Sequence, residues 1–201
     1  ANDGLTPQTP LPQPQDIADR LYTDYDLGGR SVQIYCADGQ IFDGVMLQGP
    51  FVGQRGHNVV IHGGSVLGAS KFVPPAGKFG VGLSFGAMAQ ILNVTCDNSA
   101  GLNDCISIGQ GSRLVMLGDN HLIQNNTDGF NHITAYAGCS IDVTPFPTLG
   151  NLYFQGRAQC GIQLDSATLQ SNCNFTHGLL SFWAVETAGQ IPYWSDAFVD
   201  V

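Results

Sequence analysis

The sequence predicts an all-β chain wound as a parallel β-helix of about six coils, closed at its N-terminal end by a helix. Three observations carry that expectation. Short alternating apolar runs recur at a period in the mid-twenties, small-residue turns separate them, and charge is scarce. Asp, Glu, Lys and Arg make up only 11% of the 201 residues, against roughly a quarter in an average soluble domain.

The runs are "SVQIYCADG", "NVVIHGG", "GLSFG", "CISIG", "HITAYAG" and "CGIQLD". Their apolar pairs align as Val32/Ile34, Val59/Ile61, Leu83/Phe85, Ile106/Ile108, Ile133/Ala135 and Ile162/Leu164. Successive spacings are 27, 24, 23, 27 and 29 residues, so the coils span 23–29 residues. Most runs lead through a small-residue turn into a second strand, as in "GQGSRLVML", "AGCSIDV" and "DSATLQSN". A third run often follows, as in "NHLIQN". Three strands of about four to six residues, each rising ~3.3 Å per residue, fill one coil of a parallel β-helix. Inward Ile, Leu, Val, Phe and Cys then stack between coils, while Asn, Gln, Ser and Thr face outward. Scarce charge follows, because like charges ~4.8 Å apart on stacked strands repel.

Residues 1–30 are expected to be a Pro-rich lead-in and capping helix, and 31–201 the β-helix, part of a longer chain. The helix is expected over 15–27. Ile17, Leu21 and Tyr25 fall on one face, Asp16 serves the first turn, and Gly28-Gly29 end it. Such a cap is needed because the end of a solenoid exposes apolar side chains and unpaired strand edges. The C-terminal "AFVDV" is strand-like text with no matching cap. "NLYFQG" at 151–156 matches the recognition sequence of a viral protease used to remove tags. It also falls where a third strand is due, with Leu152 and Phe154 alternating, and is read as a native strand.

Composition narrows the function. A net charge of −9 with only seven scattered basic residues disfavours nucleic acid and anionic membranes. No apolar run approaches the ~20 residues of a membrane span. Fifteen of the sixteen acids are Asp, a bias toward turns. The six cysteines form no CxxC pair and mostly sit in strand-like text, so they read as small buried thiols. No Cys/His cluster has metal-ligand spacing, so neither a metal nor another cofactor is expected.

The phrases "NDGLTPQTP", "VQIYCADGQIFDGVMLQGPFVG" and "VVIHGG" resemble the first module of pectin-lyase-like β-helix proteins. The match is closest at Ala37-Asp38-Gly39, Phe42, Gly44 and Val45, in the version found in bacteriophage and prophage tail fibres and tailspikes. It covers residues 2–65 by motif and 80–175 by architecture, and departs at "LPQPQ". The resemblance implies a right-handed winding and a virion or extracellular location. On chemistry it is silent, since one fold hosts lyases, hydrolases and inert fibres.

Polysaccharide hydrolysis would need two carboxylates about 5–9.5 Å apart. Asp142 and Asp165, in neighbouring coils, are the candidate catalytic pair, although their phases in the repeat differ. Asp104 and Asp128 read as turn residues, and His57, His62, His121, His132 and His177 as surface or turn histidines. A lyase would need an anion stabiliser, and Arg113 and Arg157 are the only basic residues in the central coils. Tyr136, Trp183, Tyr193 and Trp194 are the candidate carbohydrate-binding residues, since aromatic faces pack on sugar C–H groups. The expected function is a structural or host-receptor-binding element of a phage tail fibre or spike. It is expected to act as a homotrimer, beside other virion proteins and cell-surface polysaccharide. A polysaccharide depolymerase of the same fold is the alternative, and a secreted bacterial adhesin the third reading.

Overall fold

A computed structural model describes residues 4, 6, 8, 10–56, 59–100, 103–109, 111–124, 132–135 and 139–142. Beyond these it describes the strands at 151–156, 161–164, 174–176, 179–185 and 193–194, as backbone. After one helix, α1 (Pro14–Asp24), every described element is a strand. The first circuit holds β1 (Val32–Tyr35), β2 (Ile41–Phe42) and β3 (Val45–Gln48). The next holds β4 (Val59–His62), β5 (Lys71–Phe72) and β6 (Val81–Ser84). Then follow β7 (Met88–Leu92), β8 (Thr95–Asn98), β9 (Ile106–Ile108), β10 (Arg113–Leu117), β11 (Asn120–Gln124) and β12 (Ile133–Ala135). The last are β13 (Ser140–Asp142), β14 (Asn151–Gly156), β15 (Gly161–Leu164), β16 (Asn174–Thr176), β17 (Leu179–Val185) and β18 (Tyr193–Trp194).

Each strand pairs in parallel with the third strand after it. Three sheets result: β1-β4-β7-β10-β13-β16, β2-β5-β8-β11-β14-β17 and β3-β6-β9-β12-β15-β18. This is a parallel β-solenoid, as the period and the alternation predicted. The stacked columns are the alternating apolar positions. Ile34, Ile61, Ile91 and Met116 lie over one another in the first sheet, and all are buried. Phe72, Cys96 and Leu122 do the same in the second sheet, and Val81, Ile106 and Ile133 in the third. "NLYFQG" is β14, held between β11 and β17. Cys36, Cys96, Cys105 and Cys139 are buried thiols, as read from sequence, while Cys160 and Cys173 lie outside the described residues.

One register differs from the sequence alignment. Val81 pairs with Ile106 and Leu83 with Ile108, two residues away from the expected match. Ile61 belongs to the first sheet and is followed there by Ile91, not by Phe85. The cause is a lengthened second circuit, in which Leu47 waits 36 residues for its partner Leu83. Loop 63–70 lies over the second sheet, where Gly68 N–H donates to Thr95 Oγ1 at 3.1 Å and leaves Thr95 buried on its outward side. Phe85 is no core residue: it sits in a tight turn at φ +56°, 63% exposed.

The helix is shorter than expected. Ala18 and Leu21 are buried and Ile17 packs on the core, but Tyr25 is extended and leaves the helix. Leu27 is drawn into the core with its N–H on the Val52 carbonyl, 2.8 Å away, which pulls the chain straight before Gly28 is reached. Asp16 does serve the first turn, its Oδ2 accepting from Gln13 N–H at 3.0 Å.

Helix side chains also close the outer edge of β3, the end strand of the third sheet. Gln15 Oε1 accepts from Met46 N–H at 2.7 Å, and Gln15 Nε2 donates to Met46 C=O at 3.2 Å. Tyr22 Oη accepts from Gln48 N–H and donates to Gly49 C=O, and Gln13 Oε1 accepts from Asp43 N–H. Edge groups that a neighbouring strand would satisfy are thus met by amides and a phenol.

The "ADG" and "FDGV" motif residues are fold residues. Asp38 Oδ1 accepts from Ser65 N–H at 2.8 Å and Oδ2 from the Ser65 hydroxyl, tying the first circuit to the second. Gly44 has φ +112°, and a Cβ there would run into the Phe79 carbonyl. Phe42 and Val45 are buried.

Candidate ligand-binding face

Alternation in the first sheet sends Ile34, Ile61, Ile91 and Met116 inward, so their neighbours in sequence face out. Register then builds two outward columns. One runs Gln33, Val60, Gln90, Val115, and the other Tyr35, His62, Leu92, Leu117. At the N-terminal end the two columns make a polar and aromatic cluster. Tyr35 and His62 stack, with ring centroids 4.3 Å apart and planes at 18°. Gln33 Oε1 accepts from His62 Nε2 at 2.6 Å, which fixes the imidazole in plane against the tyrosine. Burial lowers the His62 pKa, so the ring is neutral near pH 7. Tyr35 stays 70% exposed.

This arrangement is an aromatic shelf with an amide beside it, on a stiff parallel sheet. It suits a ligand with alternating apolar faces and hydroxyl groups, because a ring face packs C–H groups while the amide takes hydroxyls. Among the described residues no cluster of His, Cys, Asp or Glu could hold a metal ion.

The described backbone places four of the residues expected from sequence. Asp142 ends β13 in the column of Val115, opposite Thr176 on β16. Three strand spacings of ~4.8 Å separate its strand from β4, about 14 Å. Asp165 and Tyr136 lie outside the described residues. Trp183 is on β17 of the second sheet, while Tyr193 and Trp194 are on β18 of the third. Trp194 pairs with Ile162, in the column whose earlier members Val81, Ile106 and Ile133 are buried. The described backbone therefore puts Asp142, Trp183 and Trp194 on three different sheets. Asp104 is in the turn before β9 and is buried. Asp128, His57, His177 and Arg157 lie outside the described residues.

Tyr35, His62 and Gln33 were missed because single residues were weighed one by one. The signal was present: the spacing of 27 that aligns Val32 with Val59 also sets Tyr35 on His62.

A concavity of about 470 Å³ lies between the Pro-rich lead-in and the first circuit, with Tyr35 in its lining. Leu11, Ile17, Ile34 and Phe42 wall it, and they are continuous with the end of the core. Gln13 at its rim is engaged by Asp43 N–H.

Comparison with protein-family models, with curated proteins and with solved structures finds no match.

Proposed function

We propose that this chain is a rigid receptor-binding element of a phage tail fibre or spike, a right-handed solenoid of six coils acting as a homotrimer. Its ligand would be a cell-surface polysaccharide. The observation that carries the ligand class is the Tyr35–His62 stack, braced by Gln33 on the outer face of the first sheet. A stiff parallel stack holds these groups without further ordering on binding, which favours recognition of a repeating polymer. The motif resemblance at Ala37-Asp38-Gly39, Phe42, Gly44 and Val45 supports the viral setting.

The test is titration of purified bacterial surface polysaccharides against the chain and against Tyr35→Ala and His62→Ala. We expect one glycan class to bind, with affinity falling at least about tenfold in either variant, in line with roughly 1–2 kcal/mol for an aromatic contact. Binding that is unchanged in both variants would sink the assignment of this face. Release of new reducing ends or unsaturated uronates would move the reading to a depolymerase. A stable monomer of the full-length protein in sedimentation would remove the trimer.

A further inference from the structure

Cys96 and Cys105 lie inside the stack with no solvent exposure. Cys96 is the inward residue of β8, between Phe72 and Leu122 in their column. Cys105 comes just before β9, and its carbonyl accepts from Val81 N–H at 3.1 Å. Asn98 Nδ2 donates to Asn103 C=O, which draws the residues after Cys96 and before Cys105 together. The result is a reciprocal approach: Cys96 Sγ is 3.6 Å from the Cys105 carbonyl, and Cys105 Sγ is 3.9 Å from the Cys96 carbonyl. Burial, with Cys96 alongside, pushes the Cys105 thiol well above its ordinary value. Room for the sulfur comes from the circuit before, where a Cβ on Gly80 would collide with Cys96 Sγ. Cys36 and Cys139 belong to other circuits, between β1 and β2 and just before β13.

Each side chain lies against the other's backbone, so the two residues are neighbours in the interior, the juxtaposition a disulfide needs. We propose that Cys96 and Cys105 are a disulfide-forming pair, joined as the chain folds by exchange with a small disulfide such as oxidised glutathione. One cysteine thiolate attacks a glutathione sulfur and expels one glutathione thiolate, leaving a mixed disulfide. The second cysteine thiolate attacks the protein sulfur of that bond and expels the other glutathione. The two cysteine protons end on two glutathione thiols, so one disulfide is reduced as one forms. Once the stack has closed, both sulfurs are shielded from solvent, so exchange belongs to the folding chain. The bond would join two residues nine apart in sequence. This inference stands apart from the proposed ligand.

The test is to unfold the full chain, refold it in a mixture of reduced and oxidised glutathione, and label remaining thiols with N-ethylmaleimide in denaturant. We expect the adducts to fall from six, the number of cysteines, to four, with Cys96 and Cys105 recovered as one linked peptide. The linked form is expected to melt several degrees above protein refolded with reductant alone. Maleimide on both cysteines, or either one joined elsewhere, would overturn the pairing. A variant with Cys36, Cys139, Cys160 and Cys173 changed to Ser keeps the test sharp if wild type refolds poorly. It forms the 96–105 bond if the pair is right, and stays fully labelled if it is wrong.

Discussion

Tyr35 and His62 are 27 residues apart in sequence and stack ring on ring at 4.3 Å, each on the outward side of its strand. The contact exists because parallel register puts equal positions of successive circuits over one another. A hydrogen bond from His62 to Gln33 at 2.6 Å then locks the imidazole. Together they bring an exposed aromatic ring and a braced polar side chain side by side.

That stack carries a pH signature. Burial lowers the His62 pKa below its ordinary 6.5. The folded chain therefore binds fewer protons at this site than the unfolded chain does as pH drops past that value. The stability it contributes is complete above 6.5 and is lost as pH falls through the depressed folded value. Melting temperature measured across that range should decline in wild type, and decline less in His62→Gln.

Phe85 is held at φ +56° and Gly86 at +81°, with Ala87 N–H on the Ser84 carbonyl at 3.1 Å. Both central residues of this turn have positive φ, a geometry that favours Asn or Gly first and penalises a bulky side chain. Phe85→Asn should raise unfolding stability in urea by about 1 kcal/mol, the scale of the left-handed penalty. No gain would mean that the exposed ring makes compensating contacts.

Gly80 and Cys96 divide one volume between two circuits. Gly80→Ala should destabilise by about 1–3 kcal/mol, the range for overpacking. Adding Cys96→Ala should recover part of that loss, measured as non-additivity in a double-mutant cycle. Full additivity would show that the two sites do not share space.

Much of this architecture was legible in the sequence, and the reason is physical. A solenoid repeats its inward positions, so Val32/Ile34 over Val59/Ile61 could be aligned without coordinates. The alignment slipped where the second circuit grows outward loops, because loop length adds residues without changing any column. Leu83 was therefore set beside Ile106, when its partner is Ile108. The helix end was misplaced for a similar reason. Gly28-Gly29 is a strong local stop, but Leu27 reaches the core and overrides it. The face at Tyr35 escaped notice since its two rings come from different circuits, and only register joins them.

Gln15 holds both the N–H and the C=O of Met46. Gln15→Ala should cost about 1–3 kcal/mol, since it strips partners from part-buried edge groups. Light scattering of the same variant at rising concentration should show larger assemblies than wild type forms.

The last expectation touches what the cap means for the molecule. A parallel stack is a template whose free edge accepts another layer of any chain with matching spacing, so nothing in its own geometry tells it to stop. Two glutamines and one tyrosine supply that instruction at the third sheet, by answering Met46, the Gln48 N–H and their neighbours Asp43 and Gly49 with atoms that offer no next strand. On that side they act as a chain terminator does in polymer growth: a fibre-forming pattern is kept to a fixed length.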